Sequence, residues 1–494
     1  MGNKKINKVL GASVIYAATG ILEKCFSFFL MPLYTHYLTT GDYGLTDLSR
    51  SFLTVMVYLA AFSLYSAVSR NYVEYKDEPD KLKRFYGTIT VFVFLSSLFF
   101  FVLLTMFREL LSQHVFTGTA YYPIILFTLT TLIFQCQFNI YSTVLRSQQK
   151  AKKVSILHLV WFLFRICLTI FLVVIKHWGA RGVLFATLAA DTAYTIYFWI
   201  DMLSSGQMLI CFDGELLKEA LIYSIPIMPH NLSTNIVNLI SRVLIGNIGG
   251  SISDVGIYAV ASNFGNLSDT IHNYINQAYS PWMFEQLHDK QFEMRKEIKK
   301  IVRLLISVTG FILTGIALFS QDYITLFLHK SYEQAKLYSV LTVIVFLIKT
   351  SYYYYVTILF YYKKASSKIF IATLGSSLLN LFLSAFMIPK WNVIGSIAAD
   401  MIAMIIRVGI VIIMTNQFDR NGLELKVFFQ NFLLNFTVIT IGMFPTFYYR
   451  LEGFHLSDFL FRTGLMIIYF LYLLFHNREI MTKSSLISKV ITRK

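Results

Sequence analysis

From residue 9 to residue 475 the chain is a succession of apolar runs, most of about 20 residues or more, parted by short polar links. A run of that length crosses a hydrocarbon core of about 30 Å as a helix and satisfies its backbone hydrogen bonds internally. The runs cover roughly residues 9–35, 47–69, 85–107, 120–145, 154–175, 182–203, 219–245, 255–281, 301–320, 337–360, 367–388, 391–414, 427–447 and 456–475. Membrane barrel strands are shorter and alternate apolar with polar residues, and these runs do neither. Only 14% of residues are charged, against about 25% in soluble domains. The expected fold is all-α and polytopic, with fourteen membrane helices.

The net charge of +16 does not point to nucleic acid, because the basic residues lie in short clusters between runs. They set a topology instead, since cytoplasmic links are rich in Lys and Arg. With the N-terminus inside, 29 of the 43 Lys and Arg fall in inner links or, for Arg303 and Lys368, at the inner edge of a run, seven fall in outer links and seven deeper within runs. Both termini are therefore expected in the cytoplasm. The basic start MGNKKINKVL leads into a long apolar run without a small-residue cleavage signal, which reads as a retained first helix. Position 6 lacks the Ser or Thr of a myristoylation signal. Cys25, Cys136, Cys167 and Cys211 form no CxxC pair, and three lie in apolar runs, so no metal or cofactor is expected.

Short echoes recur at a nearly constant offset. TTGDYG, with Asp42, is answered by SISDVG, with Asp254, 212 residues later. HWGARG, with Trp178, is answered by KWNVIG, with Trp391, at 213, and Lys150-Ala151 by Lys364-Ala365 at 214. Three echoes in order imply a repeat of six helices, and an even number keeps the copies parallel. The expected division is a six-helix bundle over 1–203, a cytoplasmic linker over 204–218, a second bundle over 219–416, and two further helices with a tail over 417–494. Paired bundles of this kind suit alternating access. GDYG and SISDVGIY are expected as breaks between runs, the former with Gly41 and Gly44 supplying turn geometry.

Polar groups inside the runs are the candidate site, since charge there tends to face a bundle interior or a wet cavity. The embedded cations include Lys24, Arg50, Arg165, Arg242, Lys349 and Arg407, and the acids include Glu23, Asp47, Asp191, Asp269 and Asp400. Asp47 and Arg50 share a side of the second run. The seventh run is bent or interrupted by Pro226 and Pro229. It then carries Asn231, Asn235, Asn238 and Arg242 on one face, at steps of three or four. The eighth answers with Asn263, Asn266, Asp269, Asn273 and Gln277. Such carboxamide stripes serve either as polar glue between helices or as a lining for a sugar-bearing substrate, because amides both donate and accept. Arg242, Lys24, Arg50, Lys349, Asn235, Asn238, Asn266 and Asn273 are the candidate substrate residues. Glu23, Asp191, Asp269 and Asp400 are candidates for ion pairing or coupling, and Pro226 and Pro229 for a hinge. The excess of embedded cation favours an anionic substrate. The chain carries no Walker A, HExxH or GxSxG motif, so a transporter is expected and not an enzyme.

The stretch FLMPLYTHYLTTGDYGLTDLSRSF, through Pro32, Leu38, Tyr43 and Gly44, resembles the opening of the Wzx-type polysaccharide flippases of the multidrug, oligosaccharidyl-lipid and polysaccharide exporter superfamily. SIPIMPHNLSTNIVNLISRVLIGNIGGSISDVGIYAVA is similar to their helix 7–8 region through Pro226, Pro229, Arg242, Gly246, Gly256 and Tyr258. YSTVLRSQQK is similar to their link after helix 4. Many relatives carry Asp before the arginine, where this chain has Ser241. The resemblance implies a flippase in the bacterial plasma membrane that moves an undecaprenyl-pyrophosphate-linked sugar repeat outward for capsule, exopolysaccharide or O-antigen synthesis. It implies cationic cavity residues facing the pyrophosphate, with Arg242 foremost. Membrane lipids and polysaccharide polymerase or assembly proteins are the implied partners. A lipid-linked cell-wall precursor flippase and a multidrug exporter of the same superfamily are the alternatives.

Overall fold

A computed structural model describes residues 20, 28–288, 292–362, 369–418, 423–448 and 453–478. The chain is all-α. The principal helices are α1 (Thr40–Ala60), α2 (Leu64–Tyr75), α3 (Pro79–Met106), α4 (Leu126–Ser147), α5 (Ala151–Ile170), α6 (Ala180–Ser204), α7 (Gly214–Ser224) and α8 (Met228–Leu244). They continue as α9 (Ile252–His288), α10 (Phe292–Phe327), α11 (Ala335–Tyr361), α12 (Ile369–Phe418), α13 (Leu425–Tyr448) and α14 (Leu456–His476). Among the described residues nine helices are long and apolar enough to cross a membrane, or ten if the bent pair α1–α2 counts as one span. Large apolar side chains such as Leu95, Phe99 and Met106 on α3 and Phe370, Leu378 and Phe382 on α12 are exposed. On a membrane protein such surface meets lipid.

The helices group into two compact units. One holds residues 1–256 with 388–392, and the other holds 257–387 with 393–494. The first has a core of Leu48, Phe52, Leu64, Phe85, Leu129, Tyr141 and Phe198, drawn from α1 to α4 and α6. α8 packs on α1 in this unit. The second is centred on Tyr279, Val302, Ile306, Tyr354, Tyr355 and Phe428, from α9, α10, α11 and α13.

The GDYG stretch is not a break. It is the first turn of α1, capped by Thr39. The Thr39 hydroxyl accepts from Asp42 N–H at 3.0 Å, and the Asp42 carboxylate accepts from Thr39 N–H at 3.4 Å. This reciprocal arrangement satisfies donors that a helix start leaves orphaned. At the echo, α9 starts at Ile252, and the Asp254 carboxylate accepts from Ser251 N–H at 2.8 Å. The two aspartates therefore do the same work. The Asp42 carboxylate also accepts from Ala180 N–H at 3.2 Å, beside Gly179, whose φ is 57° and ψ −141°. Asn392 stands 213 residues after Gly179 with φ 48° and ψ −126°. Gly250 is held against the Asp254 carboxylate and the Asn392 amide. The sequence echo is thus matched by a similar backbone conformation at Gly179 and Asn392. The 50-residue α12 turns at Asn392.

One further boundary differs from the sequence expectation, and one agrees with it. The second run, expected over 47–69, is broken between α1 and α2 with a bend of 49°. Phe62 and Ser63 there have φ of 48° and 53°. The seventh run is interrupted where expected: Pro226 lies in a 3-10 turn, Ile225–Ile227, between α7 and α8, and Pro229 lies in the first turn of α8.

α1 and α9 approach at Gly44 and Gly256. A β-carbon on Gly44 would collide with the Ile252 carbonyl, and one on Gly256 with the Thr40 carbonyl. Backbone cannot yield as a flexible side chain can, and overpacking costs about 1–3 kcal/mol or more. Among the described residues, nothing lies within 4 Å of a β-carbon added at Gly375 on α12. Thermal unfolding of the detergent-purified protein should show Gly44→Ala lowering the midpoint. Gly375→Ala should leave it unchanged or raise it, since Ala favours a helix over Gly by about 1 kcal/mol.

Candidate functional site

Asp47 and Arg50 lie one turn apart on α1, and Arg242 projects from α8. All three meet. Asp47 Oδ2 accepts from Arg242 Nε at 2.5 Å, and its Oδ1 accepts from Arg50 Nη2 at 2.6 Å. Arg242 Nη1 also donates to the Asn238 carbonyl, one turn back on α8, at 2.9 Å. Asp47 and Arg242 are buried, whereas the Arg50 side chain is 65% exposed. Among the described residues one carboxylate serves two guanidiniums, and the cluster turns its accessible edge outward through Arg50. The sequence offered Asp47 as a partner for Arg50 only. The carboxylate that pairs with Arg242 comes from another helix, α1, and not from its own neighbour Ser241.

The second unit has its own cluster. Lys349 on α11 donates to Asp269 on α9 at 2.5 Å. Tyr353, one turn beyond Lys349, donates to the same Asp269 oxygen at 2.9 Å and to Asn273 at 3.2 Å. The Lys349 ammonium lies 5.0 Å from the Phe346 ring centre and 5.4 Å from that of Tyr353. Beneath them His272 stacks on Tyr353 with centroids 5.0 Å apart and shares a hydrogen bond with the Thr350 hydroxyl at 2.8 Å. The Lys349–Asp269 pair is only partly withdrawn from solvent.

The carboxamide stripes divide. Asn231 donates to Ser63 and Tyr65 at the α1–α2 break, at 3.5 and 3.4 Å, and Asn235 donates to the Asn231 carbonyl at 2.9 Å. Asn231 thus acts as polar glue between helices, and the Asn235 bond lies within α8. Asn238, Asn266 and Asn273 are exposed. Asp191 is buried on α6 and accepts from Trp161 Nε1 at 2.8 Å. Arg165 lies over that indole, 4.6 Å from the ring centre. Asp400 accepts from Asn380, and Arg407 donates to Ser376 at 2.6 Å and Ser377 at 3.2 Å. Glu23 and Lys24 lie outside the described residues. A buried pair that sequence reading missed, Arg462 to Asp322 at 2.6 Å, joins α14 to α10. Among the described residues no group of three or more His, Cys, Asp or Glu is placed to hold a metal.

Nine or ten helices long and apolar enough to cross a membrane, among the described residues, define a polytopic membrane protein, and the family places it among membrane transporters. A family model described as "Polysaccharide biosynthesis protein" matches residues 10–287, more than half of the chain, and the chain belongs to that family. The fold is that of the wider multidrug, oligosaccharidyl-lipid and polysaccharide exporter superfamily. Over 95% of this chain and 100% of the other, it is similar to "Lipid II flippase MurJ, inward closed conformation", at 16% identity and a TM-score of 0.70. An inward-facing multidrug resistance MATE family transporter gives 0.55 at 14% identity, over 79% of this chain and 93% of that one. A transporter of the superfamily from Pyrococcus furiosus gives 0.52 at 14% identity, over 83% and 95%. No curated protein sequence matches significantly.

Removing one partner of a buried pair strands the other, at about 3–5 kcal/mol, whereas replacing both with apolar groups is often neutral. Asp47→Asn should therefore reduce monodisperse folded protein on size-exclusion chromatography. The double variant Asp47→Leu with Arg242→Met should recover much of that yield.

Proposed function

We propose that the protein flips a polyprenyl-pyrophosphate-linked saccharide across the bacterial plasma membrane by alternating access. The observation that carries this reading is the Asp47 cluster, which holds two arginines on one carboxylate and leaves Arg50 accessible. A pyrophosphate in a low-dielectric setting requires such cationic groups. The exposed amides Asn238, Asn266 and Asn273 suit sugar hydroxyls. Asn235, in hydrogen bond to the backbone, is better suited to support than to contact, and Lys349 would supply a second cation in the other unit.

Two lipid-linked substrates fit this chemistry. The family description favours a polysaccharide repeat unit, with undecaprenyl pyrophosphate as carrier. The likeness across the full length of a lipid II flippase supports the cell-wall precursor, and supports it better than it supports the repeat unit. The multidrug likenesses are lower and leave more of this chain unmatched. Fourteen crossings remain our count: α12 is about 75 Å long if straight, enough for two spans, and the polar stripes explain why α8 and α9 are less apolar than the other long helices. The division into bundles over 1–203 and 219–416, with two added helices and cytoplasmic termini, belongs to the same proposal. So do the hinge at Pro226 and Pro229, the coupling roles of Asp191, Asp269 and Asp400, and docking to polymerase or assembly proteins.

Arg50 offers a cleaner test than Arg242, whose loss would strand Asp47. In reconstituted vesicles carrying a fluorescent undecaprenyl-pyrophosphate saccharide, Arg50→Ala should slow flipping about tenfold or more, the scale of a lost charge-assisted hydrogen bond. Folded yield should hold. Unchanged flipping would remove Arg50 from the headgroup path. Complementation of a strain lacking its lipid II flippase, set beside one lacking a capsule flippase, separates the two substrates.

A further inference from the structure

We infer that the first unit contains a saccharide subsite in the angle between α1, α2 and α4, distinct from the Asp47 cluster. The inference rests on the proposed function, because it assigns part of the same substrate. A partly enclosed cavity of about 280 Å³ opens there, lined among others by Tyr58 on α1, Tyr65 on α2, and Gln135, Phe138, Asn139 and Arg146 on α4. Ligand pockets span roughly 300–1,000 Å³, so this one suits one or two sugar rings and not a whole oligosaccharide.

The helix break creates the cavity. In a straight helix Tyr58 and Tyr65 would stand about 10.5 Å apart along the axis. The 49° bend brings their rings to 5.5 Å, edge to face. The bend has neither proline nor glycine behind it. It runs through Phe62 and Ser63 in the left-handed region, which disfavours both residue types. Asn231 of α8 secures it through Ser63 and Tyr65. Such strain persists where surrounding contacts over-determine it, and it clusters at functional sites.

The lining has the chemistry of sugar recognition. Aromatic faces meet the apolar side of a pyranose, while amides and a guanidinium meet its hydroxyls. Phe138 is fixed by three rings: Tyr194 at 4.2 Å, Trp161 at 5.0 Å and His158 at 5.1 Å. Ser142, also on the wall, is held by His158 at 3.0 Å and Tyr194 at 3.2 Å. These supports keep the wall rigid. Gln135 is half-buried on the wall and its Oε1, closed to water, has no hydrogen-bond partner among the described residues, so turning that oxygen toward a ligand hydroxyl would cost it no existing bond. On the topology set by the basic residues, the cavity lies in the cytoplasmic half of the span, where a saccharide would be loaded.

The test compares two probes on the full-length protein in nanodiscs: undecaprenyl pyrophosphate carrying one N-acetylhexosamine, and undecaprenyl pyrophosphate without sugar. Wild-type protein should bind the sugar-bearing lipid more tightly. Gln135→Leu and Asn139→Ala should each weaken that binding about tenfold and leave the sugar-free lipid unaffected. Asn139, on the half-exposed wall, keeps the test sound if the Gln135 variant fails to fold. Equal affinity of wild type for both lipids, or equal losses for both in the variants, would overturn the subsite alone. So would competition by tetraphenylphosphonium whose binding the variants weaken to the same degree. Binding of neither lipid by wild type would overturn the function on which the subsite rests.

Discussion

A carboxylate shared by two arginines holds the first unit together at its least forgiving point. Asp47 and Arg242 are withdrawn from water, and an isolated charge there would cost several kcal/mol. Each is stabilised by the other at 2.5 Å, and Asp47 also by Arg50 at 2.6 Å. The pairing therefore fixes α8 against α1 in rotation as well as in distance. It also sets the sign of what remains: the second arginine, Arg50, shares the carboxylate but stays largely exposed. The cluster settles a structural problem and retains a cation for the surface.

The same helix shows what the sequence echoes do locally. A helix beginning at a membrane face must satisfy its first N–H groups locally. Thr39 with Asp42 does so for α1, and Ser251 with Asp254 supplies the related bonds for α9. Once capped, the two starts approach so closely that only hydrogen fits at Gly44 and Gly256, themselves 212 residues apart. Gly179 and Asn392 extend the correspondence. Asn tolerates the left-handed region better than most residues with a side chain, so the backbone turn is kept although the residue has changed. At these positions different residues fill similar physical roles, and the sequence echoes are correspondingly short.

How much could be read from sequence follows from the range of each interaction. Helices were legible because apolar runs are long, and the interruption at Pro226 was legible because proline removes a donor locally. The Asp42 and Asp254 echo was legible, but its meaning was misread. The glycines of GDYG suggested a turn, while the Thr39-to-Asp42 spacing is the signature of a cap. The break at Phe62 and Ser63 has no local marker, being imposed by packing and by Asn231 from 168 residues away. Arg242 was found by its embedded charge. Its partner Asp47, 195 residues distant, was visible only as a neighbour of Arg50. The stripe on α8 and α9 was visible as periodicity, and only side-chain geometry separates Asn231, which bonds to the break, from the exposed Asn238.

α1 carries these features in order along about 24 Å: the Asp42 bond to Ala180, the contact of Gly44 with α9, the Asp47 pairing with Arg242, and then Tyr58 before the break. Beyond the break, Tyr65 is tied to α8 again through Asn231. A displacement of α1 by itself would open the cap contact, the glycine crossing and the ion pair together. Packed interfaces of this kind switch between discrete arrangements and do not deform continuously. Any rearrangement that preserves the buried charge pair must therefore carry α8 with α1. The freedom left to the unit lies at the ends of that pair of helices: the 3-10 turn at Pro226 before α8, and the strained bend at Phe62 and Ser63 after α1.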